Sequence, residues 1–280
     1  MVETSDEWIR ERTGIGERHV SVGETVVTLA SEAARKALEQ SGKRAEEIDL
    51  ILVATCSPEQ YLPCCACQVQ ADIGAVNALA FDVNAACSGF LFALNTADAY
   101  LRTGLAENAL IIGSEVLSKL VDWTDRSSCI LFGDGAGAVV VERCGAESRA
   151  VEYGNTFSET EKGMQNTTAE EKRIPAGILG RALHSDGTGG GVLQCGAREL
   201  TTPYAGTSAA KADQNQPTDG REHYIQMDGQ EVYRFATRRV PQCIEEALSD
   251  AGLAVPDIDM FVLHQANARI IDAVAKRLHA

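Results

Sequence analysis

The most constraining feature of this 280-residue sequence is a segment that recurs. Residues 37–55, ALEQSGKRAEEIDLILVAT, align without gaps on residues 247–265, ALSDAGLAVPDIDMFVLHQ, displaced by 210 positions. Five of the 19 pairs are identical: Ala37/Ala247, Leu38/Leu248, Gly42/Gly252, Ile48/Ile258 and Asp49/Asp259. Each copy reads as a helix end, a glycine stop, a short loop, an Ile-Asp pair and a buried strand. Any αβ unit shares part of this grammar. The reading adopted is that the chain holds two related α/β halves, with a site where they meet.

The rest of the chain fits that reading. Thr4-Ser5-Asp6-Glu7 has the form of a capping box opening a short helix with Trp8. Apolar positions from Thr25 to Ser41 keep helical spacing. The continuous run Leu50–Ala54 predicts a strand buried on both faces. Leu79–Val83 and Ala109–Ile112 predict further strands, with a long apolar helix from about Cys87 to Arg102 between them. Cys129–Glu142 reads as strand, glycine turn, strand, and a helix is expected from Gly229 to about Ala251. A strand at Met260–Leu263 and a last helix from about Asn267 complete the order. Alternating strands and helices indicate an α/β fold with a largely parallel sheet. Glu147–Arg173 and Arg198–Arg221 are polar and aperiodic, and read as surface loops or insertions. The expected division is 1–146, a connecting region 147–228, and 229–280.

Composition removes several function classes. Forty acidic against 25 basic side chains leave a net charge of −15, which argues against a general nucleic-acid binder. No apolar run approaches the ~18 residues of a membrane span. The start, MVETSDEW, is acidic where a signal peptide is basic and then apolar, so a cytoplasmic protein is expected. Nine cysteines without an even framework read as thiols, most of them small core residues.

Two residues stand out chemically. Cys87 lies where a buried strand gives way through small residues to a long helix. A helix N-terminus favours anions, which predicts a lowered thiol pKa and a nucleophile. His264 ends the strand of the second copy, aligned with Ala54, at the carboxyl edge where α/β proteins place their sites. A cysteine and a histidine so placed suit nucleophilic acyl chemistry. Other signals are weaker. Gly133-Asp-Gly-Ala-Gly-Ala138 is followed by a strand-like Val139-Val-Val141, so it fails as a dinucleotide fingerprint. Cys64-Cys-Ala-Cys67 has no second pair or histidine at zinc spacing, reads as packed thiols on a helix, and gives no metal expectation. His184-Ser-Asp-Gly187 reads as a turn. Arg269, Lys276 and Arg277 form a basic face on the last helix that can dock an acidic partner despite the overall charge.

Four blocks then carry a family resemblance. TSDEWIRERTGI (Thr4–Ile15), DVNAACSGF (Asp82–Phe90), TDRSSCILFGDGAGAVV (Thr124–Val140) and HQANARIIDAVAKRL (His264–Leu278) resemble β-ketoacyl-acyl carrier protein synthase III. The resemblance runs in order along the chain except for the two polar stretches. It implies a thiolase-like fold, two related α/β halves with mixed or parallel sheets sandwiching helices. It implies the first condensation of type II fatty-acid synthesis, in which acetyl-CoA acylates a cysteine and malonyl-ACP then decarboxylates and condenses. Cys87 matches the nucleophile and His264 the histidine that stabilises the enolate. Trp8 and Arg126 match the pair that sandwiches the CoA adenine, Arg12 lies by the nucleotide phosphates, and Asn267 matches a pantetheine contact. Arg234, Gln265, Arg269, Lys276 and Arg277 match the surface that receives the acidic carrier protein. Leu62 matches the position where a loop of the dimer partner closes the acyl pocket; a residue smaller than the usual aromatic there implies longer or branched primers.

The same resemblance implies coenzyme A as a thioester substrate, no tightly bound cofactor, a homodimer, and no nucleic-acid or membrane partner. Against the family pattern, the first strand and helix are missing before Met1. The catalytic asparagine, expected about thirty residues after His264, the C-terminal strands and the glycine-rich oxyanion loop are absent by Ala280. Two other readings remain open at this point. One is a relative using the same residues on another acyl-CoA, polyketide-priming or hydroxymethylglutaryl-CoA-synthase-like. The other is a truncated, non-catalytic homologue that binds CoA or carrier protein.

Overall fold

The computed structural model describes residues 2–144, 177–196 and 223–280, with the backbone of 150–151 and 174–175. In chain order the main elements are α1 (Asp6–Thr13), α2 (Val26–Ser41), β1 (Leu50–Ala54), α3 (Cys65–Ile73) and β2 (Leu79–Val83). Then come α4 (Gly89–Thr103), β3 (Asn108–Val116), β4 (Asp134–Glu142), β5 (Ala150–Val151) and β6 (Ile174–Pro175). The last are β7 (Leu193–Gln194), β8 (Gln226–Met227), α5 (Gly229–Ala251) and α6 (Ala268–Leu278).

The main sheet has the order β2-β1-β3-β4. β1 pairs parallel with β2 and with β3, and β4 runs antiparallel along β3. The chain therefore steps from β1 to β2 on one side and then crosses back to β3 on the other. Crossovers between parallel strands are right-handed, so this reversal of direction puts α3 and α4 on opposite faces. Packing agrees. Ile51 and Val53 face α2 and α3 through Val26, Ala30, Ala66 and Val69. Leu50, Leu52 and Ala54 face Ala93, Ala97 and Leu101 of α4. All five residues of β1 are buried, as a run without polar alternation requires. A third apolar group joins Trp8, Ile9, Val121, Ile130 and Ile225 under α1. β5 pairs with β6 and β7 with β8 as short ribbons.

Several local expectations are corrected. The cap of α1 is Ser5, whose Oγ accepts the Trp8 amide at 3.2 Å, one residue later than the anticipated box. Cys129–Phe132 is a run of turns, not a strand. There Asp125 accepts bonds from the Ser127 amide and the Ser128 hydroxyl, both at 2.9 Å, and such local side-chain bonds compete with a ladder. The strand starts instead inside the glycine run at Asp134, whose carboxylate accepts the Ser21 and Ser118 amides at 2.7 and 2.8 Å. Met260–Leu263 is likewise not a strand. It has no ladder partner among the described residues, and Val262 is 86% exposed. Finally, α4 begins at Gly89, and Cys87 sits before it in a 3-10 turn, Ala86–Ser88.

The helix after Gly229 and the last helix capped by Asn267 form where expected. His184–Asp186, by contrast, is not a turn: Asp186 is extended, and a 3-10 run, Gly187–Val192, follows it. Of the polar stretches, 198–221 lies outside the described residues, as does 147–173 apart from Ala150–Val151. Among the described residues no helix is long and apolar enough to cross a membrane.

Candidate active site

Parallel strands β1, β2 and β3 end their carboxyl edges together, and the sheet reverses direction at β1. Such switch points are where open α/β sheets hold ligands. Thr55 carries the edge one residue on, its amide bonding Val83 O at 3.2 Å. Cys87 follows four residues after β2 in the tight turn to α4. The residue before it, Ala86, has φ +46°, a left-handed backbone that costs a non-glycine residue about 1–2 kcal/mol. Gly89 permits the close approach behind it: a Cβ there would stand 3.2 Å from the Ala54 Cβ. The turn thus projects Cys87 off the sheet edge while the helix start packs against β1.

Burial pushes the Cys87 thiol above its usual range although the residue presents area to solvent. Its own backbone N–H pulls the other way, and the Glu115 carboxylate adds to the rise. This overturns the expected lowering. The sequence pattern pointed to a helix N-terminus, but a 3-10 turn holds the sulfur, and desolvation outweighs the single amide. Glu115 was not anticipated. It sits on β3 and gathers the end of β1, accepting the Cys56 amide at 2.8 Å, the Thr55 hydroxyl at 3.2 Å and the Ser57 hydroxyl. The only signal for it in the sequence is a carboxylate inside the apolar run NALIIGSEV. Cys56, beside it, has its thiol pushed up to about 12 by burial first and then by Glu115, so it is the inert one of the two.

His264 lies in the unpaired stretch before α6; the residue presents area to solvent, yet the protein atoms around its ring desolvate it and hold the imidazole below the usual histidine range. It is therefore neutral at neutral pH. Among the described residues no hydrogen bond links His264 to Cys87.

A second cluster brings three of the resemblance's residues together. The Arg126 guanidinium lies 4.0 Å from the Trp8 ring centroid and that of Arg12 at 5.8 Å, both in cation–π range. Trp8 is held by α1 and the third apolar group, and Arg126 by the turn that Asp125 organises. The start of α6 docks on the same helix. Arg269 Nη2 donates to Glu11 O at 3.0 Å, and a Cβ on Gly14 would strike the Ala268 Cβ at 2.7 Å. Asn267 caps α6, its Oδ1 accepting the Arg269 amide at 2.9 Å, which leaves its amide nitrogen for a ligand.

The basic residues are less uniform. Lys276 and Gln265 are exposed. Arg277 is exposed but donates to Thr237 O at 2.8 Å, and Arg234 is paired with Glu231. Leu62 is 85% exposed on the loop before α3 and joins none of the three apolar groups.

Comparison with known proteins decides the family. The models described as 3-oxoacyl-[acyl-carrier-protein (ACP)] synthase III and its C-terminal part match residues 81–158 and 248–280. A β-ketoacyl-[acyl-carrier-protein] synthase III of Clostridium acetobutylicum is 43% identical over 278 residues, 99% of this chain and 74% of that one. This chain belongs to the β-ketoacyl-ACP synthase III family. The crystal structure of 3-oxoacyl-[acyl-carrier-protein] synthase III from Aquifex aeolicus superposes with a TM-score of 0.77 at 37% identity, over 99% of this chain and 73% of that one. The priming β-ketosynthase of the R1128 polyketide biosynthetic pathway gives 0.76 at 32% identity, over 100% and 72%. The fold is thiolase-like, and the chain is a condensing acyltransferase of the synthase III kind, an activity of fatty-acid biosynthesis.

Proposed function

We propose that Cys87 takes an acyl group from acyl-CoA, acetyl-CoA in the first instance, and passes it to malonyl-ACP. The sulfur, as thiolate, attacks the thioester carbonyl; the C–S bond to CoA breaks and CoA leaves as its thiol. Malonyl-ACP then loses CO2, the resulting enolate carbon bonds the acyl carbonyl, and Cys87 is released with formation of 3-oxoacyl-ACP. His264, neutral because desolvation disfavours its charged form, donates an N–H to the enolate oxygen. The single observation carrying this reading is the turn at Ala86–Ser88, whose strained residue precedes a cysteine at the switch point of the sheet.

Trp8, Arg126 and Arg12 receive the CoA nucleotide in this reading, with Asn267 on the pantetheine arm. Their support is that the three side chains stand together where α6 docks on α1. The Arg126 guanidinium, now stacked on Trp8, swings aside to admit the base. The acidic carrier protein meets Arg234 on α5, Gln265 before α6, and Arg269, Lys276 and Arg277 on α6, all exposed. No tightly held cofactor is part of the scheme. Residues 1–146 and 229–280 belong to the two thiolase-like halves, joined through 147–228. A cytoplasmic homodimer is the state we assign, with the exposed Leu62 of each protomer entering the partner's acyl pocket.

Incubation with acetyl-CoA and malonyl-ACP, read by mass spectrometry, tests the proposal. Acetyl on Cys87 and acetoacetyl-ACP are both expected; neither product from a folded sample would sink it. A second reading, polyketide priming, is favoured by the likeness to the R1128 enzyme. Competition among CoA thioesters of increasing length separates the two, strict acetyl preference counting against the second.

A further inference from the structure

Away from Cys87, the first turn of α3 carries three cysteines. Cys64 is its N-cap residue and Cys67 the third residue of the helix. Residues three apart on a helix turn are neighbours on one face. The Cys67 thiol donates to Ala80 O at 3.6 Å, with the Cys64 thiol one turn away on the same face. Cys67 is exposed and Cys64 half-buried, whereas Cys65 between them points into the core with Ile51 and Val53.

The electrostatic setting of this pair differs from that of a dithiol built to hold a thiolate. The two free amides of the turn, those of Cys65 and Ala66, both donate to the Asp82 carboxylate, at 2.8 and 2.7 Å. The anion site of the helix end is therefore filled by a side chain. The Cys64 thiol, desolvation and the Asp82 charge together push the Cys67 thiol above its usual range. Dithiols whose thiolate is stabilised make oxidising disulfides, because reduction recovers that stabilisation. This pair recovers none, so its disulfide resists reduction better than one at an unoccupied helix end. Among the described residues no group of three His, Cys, Asp or Glu side chains stands together to hold a metal.

We propose that Cys64 and Cys67 form a reversible dithiol–disulfide site that reacts with small disulfides of the glutathione class. The exposed Cys67 sulfur, as thiolate, attacks oxidised glutathione; an S–S bond to Cys67 forms and one glutathione thiol leaves with the proton. Cys64 then attacks the Cys67 sulfur, the protein disulfide forms, and the second glutathione thiol leaves with the second proton. The protein loses two hydrogens and one oxidised glutathione becomes two thiols. Ring closure between neighbours on one turn, at high effective concentration, outcompetes a second glutathione. Since the bond joins neighbours on one turn, the fold around it is kept.

The test uses the whole chain equilibrated across glutathione buffers from reducing to oxidising, then alkylated and cut with chymotrypsin. The fragment after Tyr61 through Phe81 holds Cys64, Cys65 and Cys67 and no other cysteine. In oxidising buffer the expected fragment has lost two hydrogens and retains one alkylatable thiol. Cys64→Ala and Cys67→Ala are each expected to replace this product with a glutathione adduct, while Cys65→Ala retains the disulfide. Three alkylatable thiols in the fully oxidising buffer, glutathione adducts in place of the bridge, or a bridge that persists in Cys67→Ala would overturn the proposal. The mass of the fragment from the unaltered chain is decisive without any variant.

Discussion

The aligned segments 37–55 and 247–265 share a helix stop and diverge at the strand. In both, the glycine after the helix takes a left-handed φ of +68°, at Gly42 and Gly252. In both a one-turn 3-10 segment follows, Ala45–Glu47 and Val255–Asp257. Each turn is closed by a carboxylate on the amide three residues before it: Glu47 on the Arg44 amide at 2.9 Å, Asp257 on the Ala254 amide at 2.8 Å. After the Ile-Asp pair the first copy enters β1 between two partners, and the second runs on without a ladder. Leu52 has no exposed area, and its counterpart Val262 is 86% exposed. Short-range bonds reproduced the stop from local sequence. The strand depends on neighbours from elsewhere in the chain.

This contrast can be broken or sharpened by substitution. The largest effect is expected at the strand ends, where Ala54 aligns with His264. His264→Ala makes the second copy like the first and should cut condensation by ~10²–10³-fold while leaving Cys87 acylation, since a lost oxyanion donor costs about that much. Single-turnover assays of the two steps would separate them, and equal loss of both would remove His264 from its assigned role. Next, Leu52→Ala should cost ~2–5 kcal/mol in urea unfolding as a buried cavity, and Val262→Ala less than ~0.5 kcal/mol as a surface change. Comparable losses would mean the two copies are packed alike. Gly42→Ala and Gly252→Ala should each cost about 1–2 kcal/mol and differ little, because both glycines are left-handed with open space around the missing Cβ.

The smallest effects are pH dependences of opposite sign. His264 has a lowered folded pKa, so below the ordinary histidine range the unfolded chain binds a proton that the folded chain does not. Stability should therefore fall as pH drops through the unfolded histidine pKa, a slope that His264→Gln removes from urea midpoints measured against pH. Cys87 has a raised folded pKa, so its contribution holds below the unfolded cysteine value and is lost as pH rises through the folded one. Its alkylation by iodoacetamide should accordingly rise at higher pH than that of a free cysteine. A rise at lower pH would reinstate the helix-terminus reading.

Much of the site was legible because its parts are local. Trp8, Arg126 and Asn267 were legible only through the resemblance of their short blocks to the family, and the first two meet at 4.0 Å. Glu115 was not legible, since its importance lies in three bonds to residues about sixty positions earlier. Nor was the sign of the Cys87 shift, which depends on how many protein atoms crowd the sulfur. The dual burial of β1 was readable from an unbroken apolar run. Cys129–Phe132 misled because its apolar residues pack under α1 from turns that Asp125 ties locally.

The sequence by itself determined the α/β alternation, the helix stops, the twice-used glycine turn, and the cysteine and histidine to which the proposal assigns the chemistry. These follow from propensities and bonds spanning a few residues, which a chain encodes wherever it folds. Tertiary structure decided which apolar run became a paired strand and that a 3-10 turn with a strained alanine presents Cys87. It also decided that the Glu115 charge acts on Cys87 and that desolvation shifts both Cys87 and His264. Ladder partners, desolvation and cross-chain charges are contributed by residues distant in sequence, and only folding brings them into range.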